Sequence, residues 1–177
     1  MGEQKILVSG NFINFIEHDG YEYIKRNNCT GIVIIVARTA EDKLLFVEQF
    51  RPPVNKICIE FPAGLVNDKA SAQGESILEG AKRELFEETG YEAREVVPLL
   101  IGPVSAGSNA DLVTMVQALE VQKTGEGGGD EDESIVVHEV PFTEVHDWLQ
   151  EMEAKDCLVE PKIYAGLYFL HKYNGRS

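Results

Sequence analysis

The stretch Arg83-Glu84-Leu85-Phe86-Glu87-Glu88-Thr89-Gly90 holds the densest set of chemically capable side chains in this 177-residue chain. On a helix, Glu84 and Glu88 lie one turn apart on a single face and Glu87 lies on its flank. Like charges at that spacing cost roughly 0.2–0.5 kcal/mol per pair, so helix stability does not ask for them. Such a trio is either a solvated acidic face or a seat for a hard divalent cation. Mg²⁺ and Mn²⁺ bind through a few carboxylates together with phosphate oxygens and water. The chemistry that follows is metal-assisted phosphoryl transfer. A second acidic concentration runs from Glu126 through Asp130, Glu131, Asp132 and Glu133, within a glycine-rich stretch. Taken alone, it reads as a solvated loop.

The elements that must position these groups can be read from periodicity. Ser76 to Thr89 is the clearest helix: Ser76 and Glu79 form a capping box, Leu78, Ala81, Leu85 and Phe86 make an apolar stripe, and Gly90 stands where a C-terminal cap belongs. Upstream, Gly31 to Ala37 is a continuous β-branched run, expected as a strand buried on both faces. Leu44 to Val47 follows as a strand stopped by Pro52-Pro53, then Ile57 to Phe61, then a tight loop at Pro62-Ala63-Gly64. Before them, Lys5 to Val8, Phe12 to Ile16 and Tyr21 to Lys25 read as short strands, with a hairpin turn at His18-Asp19-Gly20. Downstream lie strands Val96–Ile101, Leu112–Leu119 and Ile135–Val140, and helices Glu144–Glu153 and Pro161–Tyr173. The second of these offers Tyr164, Leu167, Phe169 and Leu170 for packing. This order predicts an α/β layer fold with a mixed β-sheet between helices.

From Glu75 through Arg83, Glu84, Leu85, Glu87, Glu88 and Gly90, the sequence resembles the Nudix hydrolases. Their box reads glycine, five residues, glutamate, seven residues, then Arg-Glu-U-x-Glu-Glu-x-Gly-U, with U apolar. Tyr91 takes the last position. One departure is the spacing, for ten residues separate Gly64 from Glu75. The extra residues fall within Asn67 to Gln73, a polar turn expected to bulge into solvent. The resemblance implies a Nudix fold in which Glu84, Glu87 and Glu88 hold Mg²⁺, or Mn²⁺ in its place. The Ala63 carbonyl would be a further ligand, and Arg83 and Glu75 would orient the cluster. It also implies a general base from the acidic loop: Glu131 is expected as base and Glu133 as a metal ligand, with exchange of the two roles left open.

Glu48 to Pro53 and Glu60 to Gly64 are similar to the ADP-ribose pyrophosphatase branch of that family. That similarity implies hydrolysis of the diphosphate in nucleoside diphosphate sugars, with ADP-ribose converted to AMP and ribose 5-phosphate as the leading expectation. Arg51 would grip the diphosphate, as a guanidinium matches phosphate oxygens bidentately. Arg26 would make a second substrate contact, with Glu22 and Glu60 also on the substrate side. Phe12 and Tyr21 would sandwich the base between the subunits of a homodimer, or else pack inside the hairpin. The implied organisation is residues 1–30 for dimerisation and base binding and 31–177 for the Nudix hydrolase domain. The branch usually carries Pro-Gly some fifteen residues past the box, where this chain has Ser105-Ala106-Gly107. ADP-glucose and GDP-mannose therefore stay open, as does a Nudix-fold sensor that binds nucleotide without turnover. All three box glutamates are present, which favours the enzyme.

Composition narrows the partners. A net charge of -14 argues against general nucleic-acid binding, which needs a basic surface. It also leaves metal ions to neutralise a diphosphate. No apolar run approaches the ~18 residues of a membrane span. Three cysteines without CxxC spacing argue against a disulfide framework or a zinc site. With no secretion signal read at the N-terminus, a cytoplasmic location is expected.

Overall fold

The computed structural model describes residues 2–129 and 134–174. The chain begins with β1 (Lys5–Ser9), β2 (Ile13–His18) and β3 (Tyr21–Arg26), which pair antiparallel in that order as a sheet of their own. The β2–β3 hairpin turns on Asp19 and Gly20, at φ 49° and 82°. Two consecutive positive φ values suit a two-residue loop whose twist matches the strands.

The larger sheet is built from β4 (Gly31–Thr39), β5 (Lys43–Arg51), β6 (Lys56–Glu60), β7 (Ala63–Val66), β8 (Tyr91–Pro103), β9 (Leu112–Lys123), β10 (Val136–Pro141) and β11 (Leu158–Val159). Its hydrogen-bonded order is β11-β6-β5-β4-β9-β8, with β10 paired to β5 and β7 to β4. The β4–β9 and β6–β11 pairs are parallel and the others antiparallel. Among the described residues, three α-helices accompany it: α1 (Ile77–Thr89), α2 (Val145–Ala154) and α3 (Lys162–Asn174).

Strand β4 explains why its run of β-branched residues is unbroken. Val33, Ile35 and Ala37 enter one core with Ala81 and Leu85 of α1. Ile34 and Val36 enter the opposite core with Phe46, Phe61, Leu149 of α2 and Ile163 and Leu170 of α3. A strand covered on both faces cannot alternate apolar with polar. Phe46 stacks on Phe61 at 5.2 Å between centroids and meets Trp148 at 5.0 Å. The α/β sandwich expected from the order of elements is present. Among the described residues, no helix is long and apolar enough to cross a membrane.

Four local expectations need correction. Pro62-Ala63-Gly64 does not make a tight loop: Ala63 to Val66 is a strand, paired with β4 from Ile34 to Gly31. Strand β5 meets β4 only at Arg38↔Leu44, so the first half of β4 takes its second partner from β7. The Asn67–Gln73 segment does not simply bulge outward. Asn67, at φ 60°, turns it back, donates its backbone N–H to Glu75 at 3.0 Å and its side-chain amide to Thr30 Oγ1 at 2.6 Å. A short turn at Ala70–Ala72 then buries Ala72. Tyr164 of α3 is exposed, for that helix packs through Ile163, Gly166 and Leu170. A side chain at Gly166 would lie 2.5 Å from the Phe61 ring. Strands β8 and β9 also outrun their apolar periodicity, because they continue as a ribbon to Tyr91↔Lys123.

Candidate active site

Helix α1 forms where local chemistry directs it. Ser76 Oγ accepts the Glu79 N–H at 3.3 Å and Glu79 Oε2 accepts the Ser76 N–H at 2.8 Å, the reciprocal cap. Gly90 closes the helix at φ 74°, and a Cβ there would meet the Gly125 carbonyl at 2.3 Å. This close approach lets the glycine-rich segment dock on the helix end. Gly128 and Gly129 donate to the carbonyls of Glu88 and Glu87 at 2.8 and 3.0 Å.

The carboxylates are arranged around Arg83. Its Nε and Nη2 bond the two oxygens of Glu75 at 3.1 and 2.7 Å, and Nη2 also donates to the Leu65 carbonyl at 2.8 Å. Its Nη1 donates to Glu84 Oε1 at 2.8 Å and Glu87 Oε2 at 3.1 Å. One guanidinium thus fixes a carboxylate ahead of the helix and two on it, and Glu75 above all holds Arg83 in its charged form. Glu84 is buried against Gly64, where a Cβ would lie 2.0 Å from the carboxyl carbon. Only glycine leaves room for that side chain. Burial pushes the Glu84 carboxyl up to about 7, although Arg83 pulls the other way. Glu88, 3% exposed, accepts the Ala63 N–H on Oε2 at 3.1 Å. Glu87 is more open, and Lys69 Nζ lies 2.9 Å from its Oε2.

These groups fit a hard divalent cation in kind, since they offer carboxylate oxygens in a poorly solvated wall. Among the described residues, no three acidic, histidine or cysteine side chains are already gathered into a closed ligand set. Arg83 and Lys69 hold two of the three glutamates instead.

A cleft of about 470 Å³ opens beside this wall. Of the residues expected from sequence, Arg26, Arg51, Glu60, Ala63 and Glu84 line it. Arg51 is clamped by Glu60, Nε to Oε1 at 2.9 Å and Nη2 to Oε2 at 2.5 Å. That pairing, foremost among its causes, stabilises the arginine cation. Arg26 is placed through its backbone, whose N–H reaches both Asp111 oxygens at 3.1 and 3.2 Å. The adjoining turn locks onto β3 as well: Ser108 O accepts from Ile24 N and Ile24 O from Ala110 N, both at 2.9 Å.

Residues 29–161 match the family described as NUDIX domain. The chain belongs to the Nudix family. Among curated relatives, it is 33% identical over 127 residues to the methanol dehydrogenase activator of Bacillus methanolicus, covering 71% of this chain and 66% of that one. It is also 33% identical over 128 residues to the ADP-ribose pyrophosphatase of Bacillus subtilis (strain 168), covering 72% and 66%. The matched part therefore spans just under two thirds of these relatives' length. A solved structure titled an ADP compounds hydrolase superposes with a TM-score of 0.71 at 18% identity, over 97% of this chain and 91% of that one. At that identity the likeness speaks for the Nudix fold.

Other expected positions lie elsewhere. Phe12 and Tyr21 are 64% and 68% exposed, so neither packs inside the hairpin of this chain. Glu22 is exposed on β3. Tyr21 lines a separate cavity of about 400 Å³ with Tyr23 and the Ala106–Ala110 turn. Glu131 and Glu133 lie outside the described residues. Sequence reasoning missed Lys69 and Lys162, which also line the cleft. A signal existed for Lys69, which stands six places before Glu75, where the box has its glycine. None existed for Lys162, which only the packing of α3 brings to the cleft.

Proposed function

We propose that this Nudix protein hydrolyses the diphosphate bond of a nucleoside diphosphate sugar, with ADP-ribose as first substrate and AMP and ribose 5-phosphate as products. The observation that carries the reading is the opening of buried Glu84 onto the same cleft as Arg51 and Arg26. A nucleoside diphosphate needs anionic metal ligands and guanidinium groups side by side. Glu84, Glu87, Glu88, Glu133 and the Ala63 carbonyl would hold Mg²⁺ or Mn²⁺. When bound, the ion supplies positive charge at the diphosphate and lowers the pKa of water.

The chain's own residues divide the remaining work. Two of the five N–H donors of Arg51 engage Glu60, so others stay available for phosphate oxygens. Glu60 keeps that guanidinium in one orientation, which lowers the entropy lost on gripping substrate. Arg83 and Glu75 position the metal-binding carboxylates. Glu131 accepts the proton of the attacking water. In support, the described chain ahead of it is held on α1, with Gly129 donating to the Glu87 carbonyl. The N-terminal strands, residues 1–30, act as the dimerisation and base-binding part, with Phe12, Tyr21 and Glu22 facing the nucleotide of a homodimer. The exposure of Ile6, Val8, Phe12 and Tyr21 supports a covered face. The three thiols fit a cytoplasmic setting.

The test is a panel of ADP-ribose, ADP-glucose, GDP-mannose and a nucleoside triphosphate, scored by phosphate release after phosphatase addition. ADP-ribose should turn over with Mg²⁺ and stop with EDTA. Glu88→Gln should lose activity by orders of magnitude while its amide oxygen still accepts the Ala63 N–H. Turnover confined to the triphosphate, or undiminished in that variant, would sink the reading.

A further inference from the structure

The segment between Gly64 and Glu75 is longer than the Nudix box requires, and its extra length does something specific. It carries Lys69 back over α1 to Glu87, with Nζ 2.9 Å from Oε2. The same oxygen accepts from Arg83 Nη1 at 3.1 Å, so two cations converge on one carboxylate oxygen. The charge of Lys69 also acts on Glu84 and Glu75.

The two cations are not equivalent. Arg83 is tied to Glu75 and the Leu65 carbonyl and is 19% exposed in its side chain. Lys69 and Glu87 are 34% and 32% exposed, so solvent screens their attraction and leaves it exchangeable. An ammonium on a flexible four-carbon stem is a point charge that can swing aside. A divalent ion brings twice its charge to the same oxygen. We propose that Lys69 is an internal counter-cation of the metal-binding helix: its ammonium occupies Glu87 in the metal-free protein and must be displaced as the divalent ion binds. The long segment thereby raises the metal concentration at which the site loads. This inference rests on the metal reading of Glu84, Glu87 and Glu88 above.

The test titrates the full chain with Mn²⁺ in the absence of nucleotide and follows free ion by electron paramagnetic resonance. Lys69→Met removes the charge and keeps the bulk, and should bind Mn²⁺ roughly three- to tenfold more tightly than the unsubstituted chain. Lys69→Arg keeps a cation and should stay within about twofold. Lys69→Gln takes the place of the methionine variant if circular dichroism shows the latter unfolded. Equal or weaker binding by the neutral variant overturns the proposal, and so does equal tightening in the arginine variant. Failure of both the unsubstituted and neutral chains to bind Mn²⁺ overturns the metal reading itself, and the role of Lys69 with it.

Discussion

Helix α1 and the N-terminal sheet are opposite solutions to the placing of charged and apolar groups. On α1, Glu84 and Glu88 are nearly buried, and Arg83 joins Glu84 to Glu87 and to Glu75 while Glu88 accepts the Ala63 N–H. In the N-terminal region, Ile6, Val8, Phe12 and Tyr21 stand more than half exposed, and among the described residues the Ser108–Asp111 turn hydrogen-bonds β3 to the larger sheet. The difference teaches where rigidity is bought. Buried charge is tolerable only when each oxygen has a partner, so the helix is over-determined. An exposed apolar sheet has no such demand and can wait for an occupant.

The contrast predicts a gradient of effects. Arg83→Ala should be the most severe, because it leaves Glu75 and Glu84 without their cation. A loss of about 3–5 kcal/mol is expected in urea unfolding, and a loss below 1 kcal/mol would mean that the cluster is far better solvated than its burial implies. Glu84 comes next. Its folded pKa, at about 7, lies above the ordinary carboxyl value of 4.5, so the folded chain keeps a proton that the unfolded chain releases. Metal-free stability should therefore be fully supported at low pH and fall as pH rises through that window, by on the order of 3 kcal/mol. Glu84→Gln should flatten the slope, measured by denaturant midpoints across pH.

Gly64→Ala should destabilise by about 1–3 kcal/mol through the clash with Glu84, and a crystal structure of the variant should find that carboxylate displaced. Ser76→Ala removes one half of the cap and should cost about 1 kcal/mol in thermal unfolding. The smallest effect belongs to the other region. Phe12→Ala should change monomer stability by less than about 0.5 kcal/mol while weakening self-association in sedimentation experiments. A stability loss matching that of Arg83→Ala would erase the contrast, since Phe12 would then be core.

The parts of the site legible in the sequence were those governed by local rules. Ser76, Glu79 and Gly90 mark the ends of α1 by their own hydrogen-bonding and backbone chemistry. The spacing of Glu84, Glu87 and Glu88 sets their common arc through the helical repeat, and the run from Gly31 to Ala37 declares a strand covered on both faces. What those rules could not supply was each group's partner across the fold. Strand β7 exists because β4 has an edge that β5 does not reach, and four residues carry no periodicity to announce it. Arg51 meets Glu60 through side chains that reach diagonally across β5 and β6, whose register sets Arg51 opposite Lys56 and Glu60 opposite Val47, and Lys69 meets Glu87 because Asn67 reverses the chain. Only tertiary structure could decide that Glu84 is desolvated while Phe12 and Tyr21 are bare. Solvation depends on what other segments bring near, and that is a property of the folded whole.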